Sequence, residues 1–395
     1  VRVAFNRAAL RGKEHDYLRE AISGGHLSGD GPFTKRVEAL LETGLGAPKV
    51  LLTQSGTAAL EIAALLTVKL GDEVIVPSFT FPTTASAFVR CGATPVFVDI
   101  LRDTFNIDPR AVQAAVTPRT RAIVAVHYAG VGCDMDALRD IAKAANAVLI
   151  EDNAHGCGAR YRGRPLGSFG HLSATSFHAT KNVTSGEGGA LVLNDPKFIE
   201  RAQFIRDRGT DWQLFKRNEV EEYSWVEIGS AYAPSDLLAA FLLAQIEDIE
   251  QITLQRRKRW TRYHEALEVL ERDGCARRPL IPAAAEHNGH IYHLLLDNAS
   301  RRRSILSDLN QGGVNAVTHF VPLHSSRAGL QYGRTAGSLA VTEDIAPRLI
   351  RLPMHLSMTL PEQDQLINSV IRLIGRGRSA TSSELHAPCR PVDAG

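Results

Sequence analysis

Between about residues 49 and 195 the chain alternates short β-branched runs with helical stretches, and no other feature narrows the fold as far. Seven runs read as buried strands, at 50–53, 73–77, 94–99, 121–127, 147–151, 174–178 and 190–194. Stretches of helical periodicity, such as 58–70 and 136–145, separate the earlier ones. The pattern predicts an α/β fold with a large, mainly parallel seven-stranded sheet covered by helices on both faces. In such a sheet ligands sit at the carboxyl ends of strands, so functional residues should follow strands. After residue 195 the texture changes. Residues 234–270 read as one long helical region, followed by a strand at 290–295, a helix at 301–311, a strand at 314–319 and a closing helix at 361–374. The expected organisation is a large domain over 1–245, a smaller C-terminal α/β domain over 246–375 and a flexible tail over 376–395, where Ser, Arg, Ala and Pro recur without period.

Composition removes several classes. Of 395 residues, 44% are hydrophobic and 22% charged, which excludes a disordered chain, a collagen and a coiled coil. The 45 Lys and Arg nearly balance 43 Asp and Glu, so no electrostatic basis for nucleic-acid binding exists and none is expected. No apolar run approaches the roughly 18 residues of a membrane span, and the first residues carry no apolar leader. The expectation is a cytoplasmic protein without a membrane partner. Five scattered cysteines without a C-x-x-C pair read as free thiols in a reducing compartment, and no metal site is expected. The glycine fingerprints of dinucleotide and phosphate loops are missing, and His264-Glu265 lacks the second histidine of a zinc protease.

Three segments carry chemistry. In Gln54-Ser55-Gly56-Thr57-Ala58 a strand gives way to a helix; Ser55 or Thr57 can cap it, and Gly56 lets backbone approach a ligand. Free N–H groups at the positive end of a helix suit a phosphate, although an ordinary capped helix reads the same way. In Val148-Leu149-Ile150-Glu151-Asp152-Asn153-Ala154-His155 an apolar strand delivers Asp152 to its carboxyl end, with His155 three residues on. A buried carboxylate beside a protonated heteroaromatic nitrogen keeps both charged; capping of the next element is the plainer alternative. In Ser176-Phe177-His178-Ala179-Thr180-Lys181-Asn182, followed by Gly186-Glu187-Gly188-Gly189, a lysine sits just past a strand. Most lysines are solvated surface charges, but one tethered there and desolvated is suited to Schiff-base chemistry. A phosphate cradle, a ring-nitrogen carboxylate and a nucleophilic lysine together match the three handles of pyridoxal phosphate.

On these motifs, and on Pro77-Ser78-Phe79-Thr80-Phe81, the chain from about residue 5 to 374 resembles the pyridoxal-phosphate-dependent nucleotide-sugar aminotransferases of the DegT/DnrJ/EryC/StrS type, on the aspartate-aminotransferase fold. The resemblance implies that Lys181 is the cofactor-bearing lysine, Asp152 the pyridinium partner, and Ser55, Gly56, Thr57 and Ser176 phosphate contacts. It also places His155 near the ring hydroxyl and Phe81 against the ring face. Leu27-Ser28-Gly29-Asp30-Gly31-Pro32-Phe33, Val126-His127-Tyr128-Ala129-Gly130 and Ile228-Gly229-Ser230-Ala231-Tyr232 resemble the branch making dTDP-4-amino-4,6-dideoxygalactose. The implied reaction aminates C4 of a dTDP-4-keto-6-deoxyhexose with L-glutamate, the cofactor passing through pyridoxamine phosphate. His319 and His324 resemble residues near the sugar site. The family implies a homodimer with shared active sites, in which an Asn reaches the neighbouring subunit's phosphate. Ala231 stands at that position here, leaving Ser230 and Asn218 as the nearest substitutes by type. Rival readings are amination at C3, a ketosugar dehydratase, whose relatives lack the lysine present here, and a non-catalytic cofactor-binding regulator, which would need a nucleic-acid module that the chain does not display.

Overall fold

The computed structural model describes residues 2–375, so the expected tail at 376–395 lies outside the described residues. Its strands, in chain order, are β1 (Lys49–Thr53), β2 (Glu73–Pro77), β3 (Thr94–Val98), β4 (Thr120–Val126), β5 (Val148–Asp152), β6 (Arg160–Tyr161) and β7 (Arg164–Pro165). They continue with β8 (Leu172–Ser176), β9 (Gly189–Leu193), β10 (Ala276–Arg277), β11 (Ala285–Glu286), β12 (Tyr292–Leu296), β13 (Arg334–Thr335) and β14 (Leu349–Leu352). The large sheet runs β1-β9-β8-β5-β4-β2-β3-β13. All its neighbours pair in parallel except β9, which is antiparallel to both β1 and β8. The seven expected strands are all there, joined at the edge by the two-residue β13 from the C-terminal part of the chain.

Strands buried on both faces explain the near-continuous apolar runs: every residue of β2 and β9 is buried. The helix Gly56–Thr67 lies against this sheet through Ala59, Ala63 and Ala64, all fully buried, and such small side chains let helix and strands approach closely. β12 is the middle strand of a second sheet, β10-β12-β14, packed on Trp260, Tyr263, Leu366 and Val370. No helix among the described residues is long and apolar enough to cross a membrane.

Two expected elements take another form. The region read as one helix over 234–270 is three: Asp236–Glu247, Ile249–Ala266 and Glu268–Arg272. Asp248 leaves helical geometry and pairs with Arg11. The break has a packing reason. The first helix buries Ala240, Leu243 and Ile246 beside Phe33 and Val37, while the second carries Trp260 and Tyr263 into the other core. The strand expected at 314–319 does not form; only single bridges survive, Val314 to Val3 and Val317 to Arg351. From Thr318 to Val321 the chain turns its side chains to a cavity instead of a neighbouring strand.

Candidate active site

That cavity has a volume of about 1220 Å³ and opens at the carboxyl ends of β1, β5 and β8. Ser55, Gly56, Thr57 and Ser176 form one part of its wall. Asp152, His155, Lys181, Phe81 and His319 form the rest of the set expected from sequence.

The first wall is a helix start held against a strand end. Ser55 caps the helix by accepting the Ala58 N–H at 3.1 Å, while Gly56 and Thr57, as first helical residues, have no intrahelical acceptor for their own N–H groups. Strand register brings Ser176 alongside, because β9 pairs Gly189 with both Thr53 and Ser176. A Cβ at Gly56 would stand 2.9 Å from the Ser176 Cβ, so only glycine permits this approach. Two free amides, a helix dipole and neighbouring hydroxyls make an anion cradle.

Asp152 ends β5 within the cavity wall, and its carboxylate is oriented from two sides. Thr84 donates its hydroxyl to Oδ2 at 2.7 Å and the Ala154 amide donates to Oδ1 at 3.2 Å. Lys181 sits on the loop between β8 and β9, whose two arms are tied together: Ala179 N–H donates to Gly186 O at 2.7 Å and Phe177 N–H to Gly188 O at 2.8 Å. Its neighbour Asn182 is fixed by His290 Nδ1 at 2.8 Å and the Asn288 carbonyl at 3.0 Å. Burial pushes the Lys181 amine down to about 8; Asp152 opposes that shift and Arg351 adds to it. His155, His290 and His319 are held well below the ordinary histidine value, by burial first and then by the positive charge of Lys181 and Arg351. All three are neutral at pH 7.

The remaining expectations divide. His319 is in the cavity, its Nδ1 2.8 Å from the Tyr128 hydroxyl. His324 is not among the lining residues; its Nδ1 lies 2.7 Å from Ser78 Oγ and its Nε2 3.3 Å from Glu343. Ser230 and Asn218 are exposed and outside this chain's cavity, and Asn218 takes the left-handed conformation (φ 60°) that Asn tolerates. Sequence reasoning passed over Thr84, His290 and Arg351, and gave Tyr128 no role although it lies in the motif Val126-His127-Tyr128-Ala129-Gly130. Of the first three, Arg351 carried a local signal, a lone charge inside the apolar run Leu349-Ile350-Arg351-Leu352.

Residues 9–371 match the model of the DegT/DnrJ/EryC1/StrS aminotransferase family. The chain belongs to this family. The uncharacterized protein MJ1066 of Methanocaldococcus jannaschii is 33% identical over 357 residues, 88% of this chain and 92% of that protein. The aminotransferase TlmJ from Streptoalloteichus hindustanus superposes with a TM-score of 0.87 at 28% identity, covering 95% of this chain and 99% of its own. A putative sugar aminotransferase, Spr1654 from Streptococcus pneumoniae, is 26% identical in its PMP form, with a TM-score of 0.88 and coverage of 97% and 100%. The aminotransferase is therefore pyridoxal-phosphate-dependent, with the fold expected from sequence. Its own residues fit that group. The amide cradle suits the phosphate, and His155, whose buried Nδ1 has no partner, lines the same cavity as Asp152 and Lys181.

Proposed function

We propose that this aminotransferase moves an amino group from L-glutamate to the C4 ketone of a dTDP-4-keto-6-deoxyhexose, giving a dTDP-4-amino-4,6-dideoxyhexose of galacto configuration for glycan or glycosylated natural-product assembly. The observation that carries this reading is one cavity holding Lys181, Asp152 and the amide cradle and continuing past Phe81, Phe320 and Tyr332. Its volume of about 1220 Å³ leaves room for a second, elongated ligand beside the cofactor.

Pyridoxal phosphate, when bound, supplies an aldehyde that exchanges amino groups and a ring that spreads the electron pair left on carbon. The protein does the rest. Gly56 and Thr57 amides with Ser55 and Ser176 hydroxyls bind the phosphate. Asp152, oriented by Thr84, holds a proton at the ring nitrogen. His155, which lines the cavity, would stand near the ring hydroxyl, and Phe81, 56% exposed at the wall, would offer a face for stacking. Lys181 Nζ would anchor the cofactor at rest and, once displaced, would take the proton from the donor carbon in the first half-reaction and deliver one to the sugar carbon in the second; an amine near 8 is suited to both tasks. His319, fixed by Tyr128, faces the sugar.

The assembly in this reading is a homodimer with shared sites. Tyr223, Trp225 and Ile228 are 54%, 79% and 66% exposed along one segment, an apolar strip that a second copy would cover. Ser230 and Asn218, exposed on the same segment, would then be the candidates for contacting the partner's phosphate. Incubation with L-glutamate and a panel of nucleotide-ketosugars, with products assigned by NMR, tests the reaction. A C3-amino product, or deoxygenation without amine incorporation, would replace it.

A further inference from the structure

Asn288 is fully buried on the connection from β11 to β12, and both polar atoms of its side chain are engaged. Its Nδ2 donates to the His155 carbonyl at 2.7 Å and to the Cys157 carbonyl at 2.8 Å. Its Oδ1 accepts the His290 N–H at 3.0 Å. The Asn288 carbonyl accepts Asn182 Nδ2 at 3.0 Å, and Asn182 Oδ1 lies 2.8 Å from His290 Nδ1. The turn 288–290 therefore grips two loops that leave different strands, the one after β5 carrying His155 and the one after β8 carrying Lys181. Among the described residues no hydrogen bond runs directly between 154–157 and 177–186.

Carbonyl oxygens can only accept, and this settles the protons of the network. Asn182 must turn Nδ2 to the Asn288 carbonyl, so its Oδ1 meets His290, and His290 carries its ring proton on Nδ1. Burial keeps that ring neutral, which leaves Nε2 an acceptor. The turn is itself anchored by buried Arg256, whose Nε donates to the Gly289 carbonyl at 3.1 Å and whose Nη2 donates to the His290 carbonyl at 2.9 Å. A buried amide with every donor spent is a rigid connector, because breaking any one bond strands a polar group away from water. The rings of His155 and His290 stand 4.5 Å apart, and both line the cavity with Lys181.

We infer that Asn288 and His290 are positioning residues: they set the placement of Lys181 relative to His155 around the cofactor, with His290 held as the Nδ1–H tautomer. This rests on Lys181 being the cofactor-bearing residue, and it is independent of the sugar and of the amino donor.

Two measurements test it. Long-range proton–nitrogen correlation spectra of the cofactor-free protein, with the His290 signals identified by their loss in His290→Asn, are expected to show Nδ1 protonated and Nε2 bare. A proton on Nε2 would overturn the assignment. The second measurement is the rate at which the cofactor-free protein captures pyridoxal phosphate, followed by the cofactor's absorbance. Asn288→Ala and His290→Leu are expected to capture it about tenfold more slowly, the worth of a hydrogen bond lost at a buried site. His290→Asn keeps an N–H where Nδ1 stands and is expected to remain within about threefold of wild type. A merely structural role would lower the urea midpoints and leave capture by the folded variants unchanged. That result would sink the inference, as would equal slowing in His290→Asn and His290→Leu. If Asn288→Ala and His290→Leu do not fold, the wild-type spectrum and the capture rate of His290→Asn still decide. Wild type that captures the cofactor on a residue other than Lys181, read by borohydride trapping and peptide mass, would remove the lysine reading itself, a result distinct from variants that behave like wild type.

Discussion

Thr84 Oγ1 donates to Asp152 Oδ2 at 2.7 Å, and Thr80 Oγ1 stands 2.9 Å behind it. Because the carboxylate can only accept, the direction of the chain is set: Thr80 donates to Thr84, and Thr84 to Asp152. All three residues are buried, so the two hydroxyls support an ionised carboxylate where water cannot. Thr84→Val keeps the shape and removes the donor. It is expected to lower kcat/KM of both half-reactions about tenfold, the worth of one charge-assisted bond, with the fold unchanged. Stopped-flow absorbance of the cofactor band, beside a far-ultraviolet spectrum of the variant, checks this.

Asp152→Asn goes further, since a neutral amide no longer favours a protonated ring nitrogen. Cofactor binding is expected to persist while the proton-transfer steps slow by roughly 10²-fold or more, in line with loss of a positioned charge. Unchanged rate constants in both half-reactions would move the ring-nitrogen partner to another residue.

Lys181 gives a pH dependence with a definite sign. Its amine titrates near 8 in the folded chain against 10.5 when unperturbed, so below 8 it is an ammonium ion and not a nucleophile. Capture of pyridoxal phosphate by the cofactor-free protein should speed up as pH rises through about 8 and level off above. A surface-type lysine would keep accelerating toward 10.5. The linked stability effect has the same direction: between about 8 and 10.5 the unfolded chain holds a proton that the folded one has released, so folding gains as pH rises through that window. Lys181→Ala should abolish both the pH-dependent capture and turnover, read by borohydride trapping and peptide mass.

Gly189 tests the register that builds the phosphate cradle. A Cβ there would be driven into the backbone of Ser55 and to 2.5 Å from the Gly56 nitrogen. Backbone cannot swing aside as a flexible side chain can. Gly189→Ala is expected to cost about 1–3 kcal/mol of stability and to weaken cofactor binding along with it. Urea unfolding and a fluorescence titration with the cofactor measure the two effects separately. Loss of stability with full cofactor affinity would mean that the cradle tolerates displacement of the helix start.

Acid should loosen the loop behind the site. Glu151, one residue before Asp152, accepts the amides of Gly167, Phe169 and Gly170, each at 2.7 Å, and stands 2.8 Å from His127 Nε2. Burial pushes its carboxyl up, but the His127 contact and these amides outweigh burial and hold it below 4.5. A depressed carboxyl pKa stabilises the folded state fully above the unfolded value of 4.5 and loses that effect as pH falls below it. Glu151→Gln should therefore lower the Tm at pH 7 and lose less stability than wild type on acidification, as differential scanning calorimetry can record.

The parts legible in the sequence are those whose physics is local. A buried parallel strand needs an unbroken apolar run, so β1 to β5, β8 and β9 stood out, and each motif residue followed from the strand that delivers it. Ser55, Gly56, Asp152 and Lys181 thus reached one cavity as their positions after strands implied. What the sequence did not contain was any contact between segments distant along the chain. Thr84 meets Asp152 across 68 positions, and Arg351 reaches the same wall from β14, because sheet order and the packing of the second sheet bring them there. The same cause undid two local readings. Residues 234–270 carry a helical period throughout, yet the chain must break at Asp248 to leave one core and enter another. Residues 314–319 have the composition of a strand, but a strand exists only where a neighbour offers its backbone, and there the neighbouring space is the active-site cavity.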